Sequence, residues 1–375
     1  MRGSNDAQSR LSFVSPEQLV PEEHPIRHIK AIVDAALREL DPILASMYSD
    51  VGRPSIPPEN LLKACLLMAL YSIRSERQFC ERLQYDLLFK WFLDLHIDDP
   101  SWDQSSFAKN RERLLEHEVS SHFFAAIREE AKRRHLLSRD HFTVDGTLLE
   151  SKASLKSLKP RAKPPGPPKP NLGGQRKPRR RRGGRNPEVD WKGEKRSNQT
   201  HISATDPEAR LATKSQGQAA KLSFAGHVVM ENRHGLVVAV DLTEANGYAE
   251  RVAALRMLRH LRRGRRRRGT VAGDKGFDSQ DFVEGARQLG FTPHIAQNIN
   301  SQRGSKIDGR TTWHPGYAVS QRLRKKVEEI FGWWKTIAGC RKLRYIGVKR
   351  NRFWAEMASS GYNLVRMANL AMAAG

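Results

Sequence analysis

The chain is short of acidic residues relative to basic ones. It contains 41 Asp and Glu residues against 65 Lys and Arg residues, which gives a formal net charge of +24. Such an excess of positive charge favours a polyanionic partner, with nucleic acid first and an anionic membrane a distant second. The charge supports DNA binding equally well for an enzyme and for a protein that only binds.

Cysteines, long apolar runs and nucleotide-binding loops are scarce or absent. The 3 cysteines, Cys65, Cys80 and Cys340, are too few and too widely spaced for a disulfide framework or a zinc knuckle, which fits a reducing cytosol. The longest apolar run, 61–70, is too short to cross a bilayer, and residues 1–8 are polar rather than a signal segment. We therefore expect no membrane association. Because no Gly-Lys-Ser/Thr loop is present, we also expect no nucleotide cofactor.

Helical periodicity dominates the first third of the chain. Residues 1–20 lack it and are predicted to form a flexible N-terminal arm, whereas 21–138 are predicted to form an all-helical DNA-binding domain. The segment 58–70 is apolar nearly all round, so we expect it at the centre of the bundle. A helix-turn-helix is possible here, but a helical bundle with a solvated basic face is equally compatible with the pattern.

After residue 140 the periodicity becomes alternating, which predicts a strand over 141–147 with Asp145 near its end. Residues 152–200 are then predicted to be a basic, disordered insert, because 151–187 contains no acidic residue and is rich in Pro and Gly. A run of four arginines inside it is expected to contact DNA phosphates without sequence preference: Arg179, Arg180, Arg181 and Arg182.

Beyond the insert, strands and helices follow in the order β-β-β-α-β-α-β-α, counted from the strand that contains Asp145. This order predicts a mixed sheet with helices on its faces and is that of a ribonuclease-H-like fold. We therefore predict a mixed α/β protein: a ribonuclease-H-like catalytic core over 139–345, preceded by the N-terminal all-helical domain. A C-terminal helical segment, 346–375, is expected to pack on the core.

The helix predicted over 318–336 carries two stripes. Its apolar stripe contains Val327, Ile330, Phe331 and Trp334. A second stripe at the edge of the buried face contains Gln321, Arg324, Glu328 and Lys335. A carboxylate flanked by cations at such an edge suits a metal ion that contacts a phosphate backbone. The alternative is an ordinary ion pair between Arg324 and Glu328 on an amphipathic helix.

Two aspartates are expected to meet at one edge of the sheet. In a ribonuclease-H-like fold the strands that end at Asp145 and Asp274 are neighbours, and Glu328 would reach over from the late helix. Three oxygen ligands match Mg²⁺ or Mn²⁺, and two such ions can clamp an in-line attack on a phosphodiester. The simpler alternative is that both aspartates are turn residues. Asp278 is a rival to Asp274, although its place before Ser279 favours helix capping.

Three segments resemble the DDE transposases of bacterial insertion sequences, of the insertion-sequence-five type. They are VDGTLLES at 144–151, GDKGFDS at 273–279 and HPGYAVSQRLRKKVEEIFGWWKT at 314–336. The stretch GRPSIPPENLLKACLLMALYSIRSERQFCERL also resembles the helical leading domain of these proteins. The third family motif is Tyr-x2-Arg-x3-Glu-x6-Lys. Arg324, Glu328 and Lys335 match it, whereas Gln321 occupies the tyrosine position.

The resemblance implies roles for individual residues. The ligands of two divalent ions, Mg²⁺ or Mn²⁺, would be Asp145, Asp274 and Glu328. Phosphates near the scissile bond would be held by Arg324 and Lys335. Two further residues within these motifs, Gln321 and Lys275, are also expected to contact DNA.

The resemblance also implies a reaction. The enzyme would nick double-stranded DNA at terminal inverted repeats and join the freed 3′-hydroxyls to target DNA. A homodimer or a larger synaptic assembly, in the bacterial cytoplasm and associated with the nucleoid, would hold two DNA ends. Two alternatives stay open: a catalytically inactive DNA-binding repressor or architectural protein, and a ribonuclease-H-like nuclease that cuts without strand transfer.

Overall fold

The structure is a computed structural model that describes residues 15–48, 51, 55–161, 196–214, 217–262, 268–299 and 304–374. The chain divides into two compact units, one containing Met1–Leu137 and Glu356–Gly375 and the other Ser138–Ala355. The predicted phosphate-binding run of Arg179, Arg180, Arg181 and Arg182 lies outside the described residues. None of the described helices is both long and apolar enough to cross a membrane.

The first unit is built from helices. They are α1 (Pro16–Leu19), α2 (Pro25–Ala45), α3 (Pro58–Leu70), α4 (Glu76–Leu83), α5 (Leu87–Phe92), α6 (Gln104–Glu116), α7 (Val119–Arg133) and the later part of α13 (Val348–Ala374). Helix α3 is buried over residues 61–69, as its apolar character predicts. Its one buried cation, Lys63, is paired with Asp34 and Asp94 at 2.6 and 2.5 Å, as a charge removed from water requires.

The second unit contains a six-stranded mixed sheet with helices. Its strands are β1 (His141–Glu150), β4 (Arg210–Ala212), β5 (Lys221–Glu231), β6 (Val237–Glu244), β7 (Gly269–Gly273) and β8 (Phe291–Ile295), and a separate two-stranded sheet is formed by β2 (Leu158–Pro160) and β3 (His201–Ser203). Its helices are α8 (Ala249–Arg262), α9 (Gln280–Gln288), α10 (Gly309–Thr312), α11 (Pro315–Leu323) and α12 (Val327–Thr336).

The strand order of this sheet is β4-β5-β1-β7-β8, and β6 also pairs with β5. Strand β1 is antiparallel to β5 but parallel to β7, and β7 is parallel to β8. Antiparallel strands thus lead through the crossover helices α8 and α9 into two parallel strands. This confirms the predicted mixed α/β class, with a ribonuclease-H-like core and an N-terminal helical region.

Strand β1 is longer than the sequence predicts. It continues to Glu150 because β5 pairs with it along almost its whole length, from Phe142 to Glu150. Asp145 therefore lies in the middle of β1, and the expectation that it stands near the strand's end was wrong. Only the first residues of β1 pair with β7, however, and this pairing stops at Thr143.

Hydrogen-bonded structure stands at both ends of the predicted insert. The antiparallel pair of β2 and β3 aligns Pro160 with His201, and the backbone N–H of Arg161 donates to Thr200 O at 2.8 Å. Residues 162–195, between these points, lie outside the described residues. Asn198, inside the predicted insert, is also held to the chain that follows, because its side chain donates to Leu211 O and accepts from the N–H of Leu211.

Helices cover both faces of the sheet. On one face, the Ser320 hydroxyl of α11 is hydrogen-bonded to His141 Nε2, and the Lys335 ammonium of α12 donates to Thr147 Oγ1. On the other face, Glu250 of α8 lies against Gly146. Because successive side chains of a strand point to opposite faces, Asp145 shares the face of α11 and α12.

The helix predicted over 318–336 is interrupted. A 3₁₀ turn, Arg324–Lys326, separates α11 from α12. At this turn the Lys326 ammonium donates to the backbone carbonyls of Asn232 and Arg233, at the connection between β5 and β6. The tighter winding of a 3₁₀ turn rotates α12 about its axis relative to an uninterrupted helix.

We predict that Gly226 of β5 sets how closely α12 packs on the sheet. A Cβ at this position would lie 2.8 Å from Cζ3 of Trp334, whose side chain is fully buried. Gly226→Ala should therefore lower the free energy of unfolding by about 1–3 kcal/mol, measured by chemical denaturation. Gly332→Ala in α12 is the control, since its Cβ would meet nothing within 4 Å. Equal destabilisation by both substitutions would contradict this packing.

Candidate active site

The two aspartates follow the end of the same strand pairing. The last register pair of β1 and β7 is Thr143 with Ala272, and Asp145 and Asp274 each come two residues later. Extended by two residues, the register would place the aspartates side by side. The strands part here because β7 ends at Gly273 and the chain enters a 3₁₀ turn. The structure therefore places both aspartates at the point where the parallel pairing opens.

Each aspartate is oriented by a nearby backbone amide. Asp145 Oδ1 accepts from the N–H of Gly146 at 2.8 Å, and Asp274 Oδ1 accepts from the N–H of Gly276 at 2.8 Å. Asp274 is exposed and caps the 3₁₀ turn that follows it, whereas Asp145 is half-buried. Among the described residues, no hydrogen bond engages the second oxygen of either carboxylate, so both oxygens can accept a ligand.

Glu328 stands in the first turn of α12 and is exposed. It lies within electrostatic range of Asp145, as do Asp274 and the Arg324 guanidinium. In the part of the chain that the structure describes, no ion pair joins Arg324 to Glu328. Arg324 Nε instead donates to Gln321 Oε1 at 3.1 Å. The i,i+4 ion pair that the sequence offered as an alternative is therefore not formed.

The Gln321 side chain is engaged within the protein. Its Nε2 donates to His294 O at 2.6 Å, and its Oε1 accepts from Arg324. One helical turn earlier, the Tyr317 hydroxyl donates to Ile295 O at 2.8 Å. Both side chains fasten α11 to the end of β8, so Gln321 positions Arg324. Its expected contact with DNA stays a prediction.

Two lysines of the predicted set stand beside the aspartates. Lys335 is half-buried, and its ammonium donates to Thr147 Oγ1, two residues from Asp145 on the same face of β1. Burial lowers the pKa of Lys335, nearby cations lower it further, and the Asp145 carboxylate opposes them. Lys275 is exposed and directly follows Asp274.

A fourth carboxylate, which the sequence analysis missed, approaches from the other face of the sheet. Glu250 stands in the first turn of α8, and a Cβ at position 146 would collide with its Oε1. Burial raises the pKa of Glu250 to about 7, and the Asp274 and Asp145 carboxylates add to the rise. The only sequence signal was an acid at the start of a predicted helix. Such acids are common because they complement the helix dipole.

Burial and mutual repulsion disfavour the negative charge of the site's carboxylates. Burial raises the pKa of Asp145 to about 6, although the Gly146 amide opposes this, and the charge of Asp274 raises it further. All the donor atoms are carboxylate oxygens, the type that Mg²⁺ and Mn²⁺ prefer. Among the described residues, no three acidic, His or Cys side chains are already arranged to hold a metal ion. The donor chemistry fits a divalent ion, but the side chains would have to rotate to converge on it.

Asp278, the rival of Asp274, has a structural role. Its two carboxylate oxygens accept from the backbone N–H groups of Asn298 and Lys306 at 2.7 and 2.8 Å, so it ties down the loop after β8. The helix α9 begins after Ser279, whose side chain makes no capping bond. The expected helix capping by Asp278 was therefore wrong, because the loop backbone occupies both of its oxygens.

We predict that Glu250 makes the stability of the metal-free protein depend on pH. Its pKa in the folded protein, about 7, exceeds the ordinary value of 4.5. The folded state therefore binds more protons within this window, and stability falls as the pH rises through it. Glu250→Gln should remove this component. In EDTA it should be more stable than the parent at pH 8, by about 2 kcal/mol, and little different at pH 4, measured by urea unfolding.

The control for this prediction is Glu284→Gln, which removes an exposed carboxylate from α9. Its free energy of unfolding should match that of the parent protein at both pH values. Identical pH dependence in the parent and in Glu250→Gln would show that Glu250 does not carry the effect.

Two family models match the sequence. The first, "Transposase domain (DUF772)", matches residues 14–113, and the second, "Transposase DDE domain", matches 189–364. Together they span roughly three quarters of the chain. Asp274 and Glu328 lie inside the second match, whereas Asp145 lies between the two. No curated protein matches the sequence.

Some solved structures are similar to this chain. The cryo-EM structure of the piggyBac transposase synaptic complex with hairpin DNA is 9% identical, covers 94% of this chain and 76% of that one, and has a TM-score of 0.42. A pre-cleavage Mos1 transpososome is 10% identical, covers 87% of this chain and 81% of that one, and has a TM-score of 0.22.

The two matched segments are both transposase domains and occupy separate parts of the chain, one largely helical and the other containing most of the mixed sheet. The resemblance that the motifs indicated is confirmed. The chain belongs to the DDE transposases of the insertion-sequence type.

Proposed function

We propose that this transposase nicks double-stranded DNA at terminal inverted repeats and joins the freed 3′-hydroxyls to target DNA. Both steps are phosphodiester transfers that depend on divalent ions. The observation that carries the proposal is the position of Asp145 and Asp274, each two residues beyond the last β1–β7 register pair, with Glu328 within electrostatic range of Asp145.

Asp145, Asp274 and Glu328 would hold two Mg²⁺ or Mn²⁺ ions, with Glu250 as a fourth carboxylate. When bound, such ions activate the attacking oxygen and stabilise the leaving oxygen of an in-line transfer. The raised pKa values of Asp145 and Glu250 support this assignment, because they mean that the site disfavours its own negative charge. A bound cation would offset that charge.

The cations of α11, α12 and the adjoining turns would hold the substrate phosphates. Lys335 shares the face of Asp145, and Arg324 is fixed by Gln321 within range of the same carboxylate. Together with Lys275 they place positive charge around the acids, so that a phosphodiester can approach them. The hydrogen bonds that orient Lys335 and Arg324 reduce the entropy lost when DNA binds.

The proposed partners are the two DNA segments of the reaction. The net charge of +24 favours contact with phosphates throughout the chain. Two transposon ends must be held together, so we propose a homodimer or a larger synaptic assembly, in the bacterial cytoplasm near the nucleoid. A nuclease that cuts without joining would yield nicked DNA but no strand-transfer product, and this separates the two activities.

Neutralising any one ligand carboxylate should abolish cleavage. We expect Asp145→Asn, Asp274→Asn and Glu328→Gln each to slow nicking of a labelled inverted-repeat duplex in Mg²⁺ by about 1000-fold or more, or ~4 kcal/mol in the barrier. Their affinity for the same duplex in EDTA should change little. Glu329→Gln, at the next position of α12, is the control and should cut normally. Full cleavage by one of the three variants would remove that residue from the catalytic set.

Glu250 should affect the requirement for the metal ion more than the binding of DNA. In Glu250→Gln we expect the Mg²⁺ concentration that gives half-maximal nicking to rise about tenfold, because one anionic oxygen leaves the site. The measurement is a Mg²⁺ titration of initial nicking rates at saturating DNA. An unchanged half-maximal concentration would exclude Glu250 from the set of carboxylates that act on the ion.

A further inference from the structure

A groove of about 700 Å³ lies at the outer edge of the sheet in the second unit. Its floor includes Thr270 of β7 and Thr292 of β8, which are register partners, and β8 is the edge strand. Charged side chains that line the groove are Arg268, Arg287, Arg310 and Asp308. The groove does not include any of the four carboxylates of the proposed active site.

Asp308 anchors two of the three arginines. Its Oδ2 lies 3.0 Å from Nη2 of Arg287 and 3.8 Å from Nη2 of Arg310, while its Oδ1 accepts from both the N–H and the hydroxyl of Thr311. The Arg310 side chain is still 90% exposed. Arg268 makes no hydrogen bond or ion pair within the described chain. Three guanidinium groups thus face one carboxylate, which leaves a net positive groove.

This charge pattern suits a phosphodiester backbone. Guanidinium groups can bind two phosphate oxygens at once, and several of them spread along a groove match an anion with repeated charges. Thr270 and Thr292 place small polar side chains on the floor, where a backbone can approach closely. An apolar or cationic ligand would leave the arginines unpaired.

The groove wraps round the edge strand β8, and its residues Thr270 and Thr292 lie on the same face of the sheet as the proposed active site. Thr270 and Asp274 are four residues apart along β7 and its end, so their side chains point to the same face. At about 3.3 Å per residue, the Cα atoms of Thr270 and Asp274 are separated by ~13 Å. Duplex DNA rises about 3.4 Å per base pair, so this distance corresponds to about four base pairs. Helix α11 begins beside the groove at His314 and leads towards Arg324.

We propose that this groove binds the backbone of the duplex being cut, at a phosphate about four base pairs from the scissile bond. The assignment of the cut position rests on the proposed function, whereas the binding of a phosphodiester does not. The duplex in the groove is either the transposon end or the target, and both present the same phosphate chemistry.

The test compares salt dependence of DNA binding in the full-length protein. The triple variant Arg268→Gln, Arg287→Gln and Arg310→Gln is titrated in EDTA, between 50 and 200 mM salt, against a duplex that carries the inverted repeat flanking its gene. Each lost phosphate contact should reduce the slope of log K against log salt by about 0.9. We expect a reduction of about two to three, and of about one for Arg310→Gln alone.

The matched control is Arg259→Gln, which removes an exposed arginine of α8 on the opposite face of the sheet. Its slope should equal that of the parent. The single variant Arg310→Gln alters only a highly exposed side chain, so it keeps the test valid if the triple variant fails to fold. Unchanged slopes in both groove variants would overturn the proposal.

A second measurement locates the contact on the DNA. Single neutral methylphosphonates are placed at each position of the duplex, and one about four base pairs from the cut should weaken the parent but not the triple variant. Equal weakening of both proteins at every position would overturn the proposal. Because binding is read in EDTA, the loss of a phosphate contact in the triple variant is measured even if the parent cuts nothing, so the binding proposal and the proposed function fail separately.

Repeating the salt titration with a duplex of unrelated sequence shows whether the groove holds the transposon end or the target DNA. A reduced slope only with the inverted-repeat duplex assigns the groove to the transposon end. A reduced slope with the unrelated duplex assigns it to target DNA, and either result supports binding of a phosphodiester backbone.

Discussion

The short parallel pairing between β1 and β7 is the constraint on which the proposed active site depends. It joins only 141–143 to 270–272, and then the strands separate while β1 continues along β5. The register places Asp145 and Asp274 at equivalent positions just beyond the pairing. Two like charges, one half-buried and one exposed, are thereby held near each other. The arrangement is electrostatically unfavourable without a cation, and this cost is what suits it to bind one.

The helices around this opening supply the groups that the strands cannot. Helix α12 brings Glu328 and Lys335 to the face of Asp145, and α8 brings Glu250 from the opposite side. Gly146 allows the close approach of Glu250, since a side chain at this position would collide with its carboxylate. Strand register and helix packing therefore act together, and loss of either would disperse the charges.

One face of the sheet links the proposed chemistry to the proposed DNA path. The cations Arg324 and Lys335 surround the acids, and α11 extends from them to the arginine-lined groove at the edge strand. Fixed partners orient two of the cations along this path: Gln321 holds Arg324, and Asp308 holds Arg287. A preorganised row of positive groups can hold a stiff polyanion in one register, which a cut at a defined position requires.

The sequence by itself determined the succession of the main strands and helices, and it proposed Asp145, Asp274, Glu328 and Lys335 as site residues, because periodicity and motif spacing are local. It did not find Glu250 or the role of Asp278, since an acid at a helix start has the same local pattern whether or not it reaches an active site. The break at Arg324–Lys326 also escaped it, because the amphipathic pattern runs unbroken through that turn. Only the tertiary structure decided which carboxylates gather, since packing across the sheet joins residues far apart in the chain.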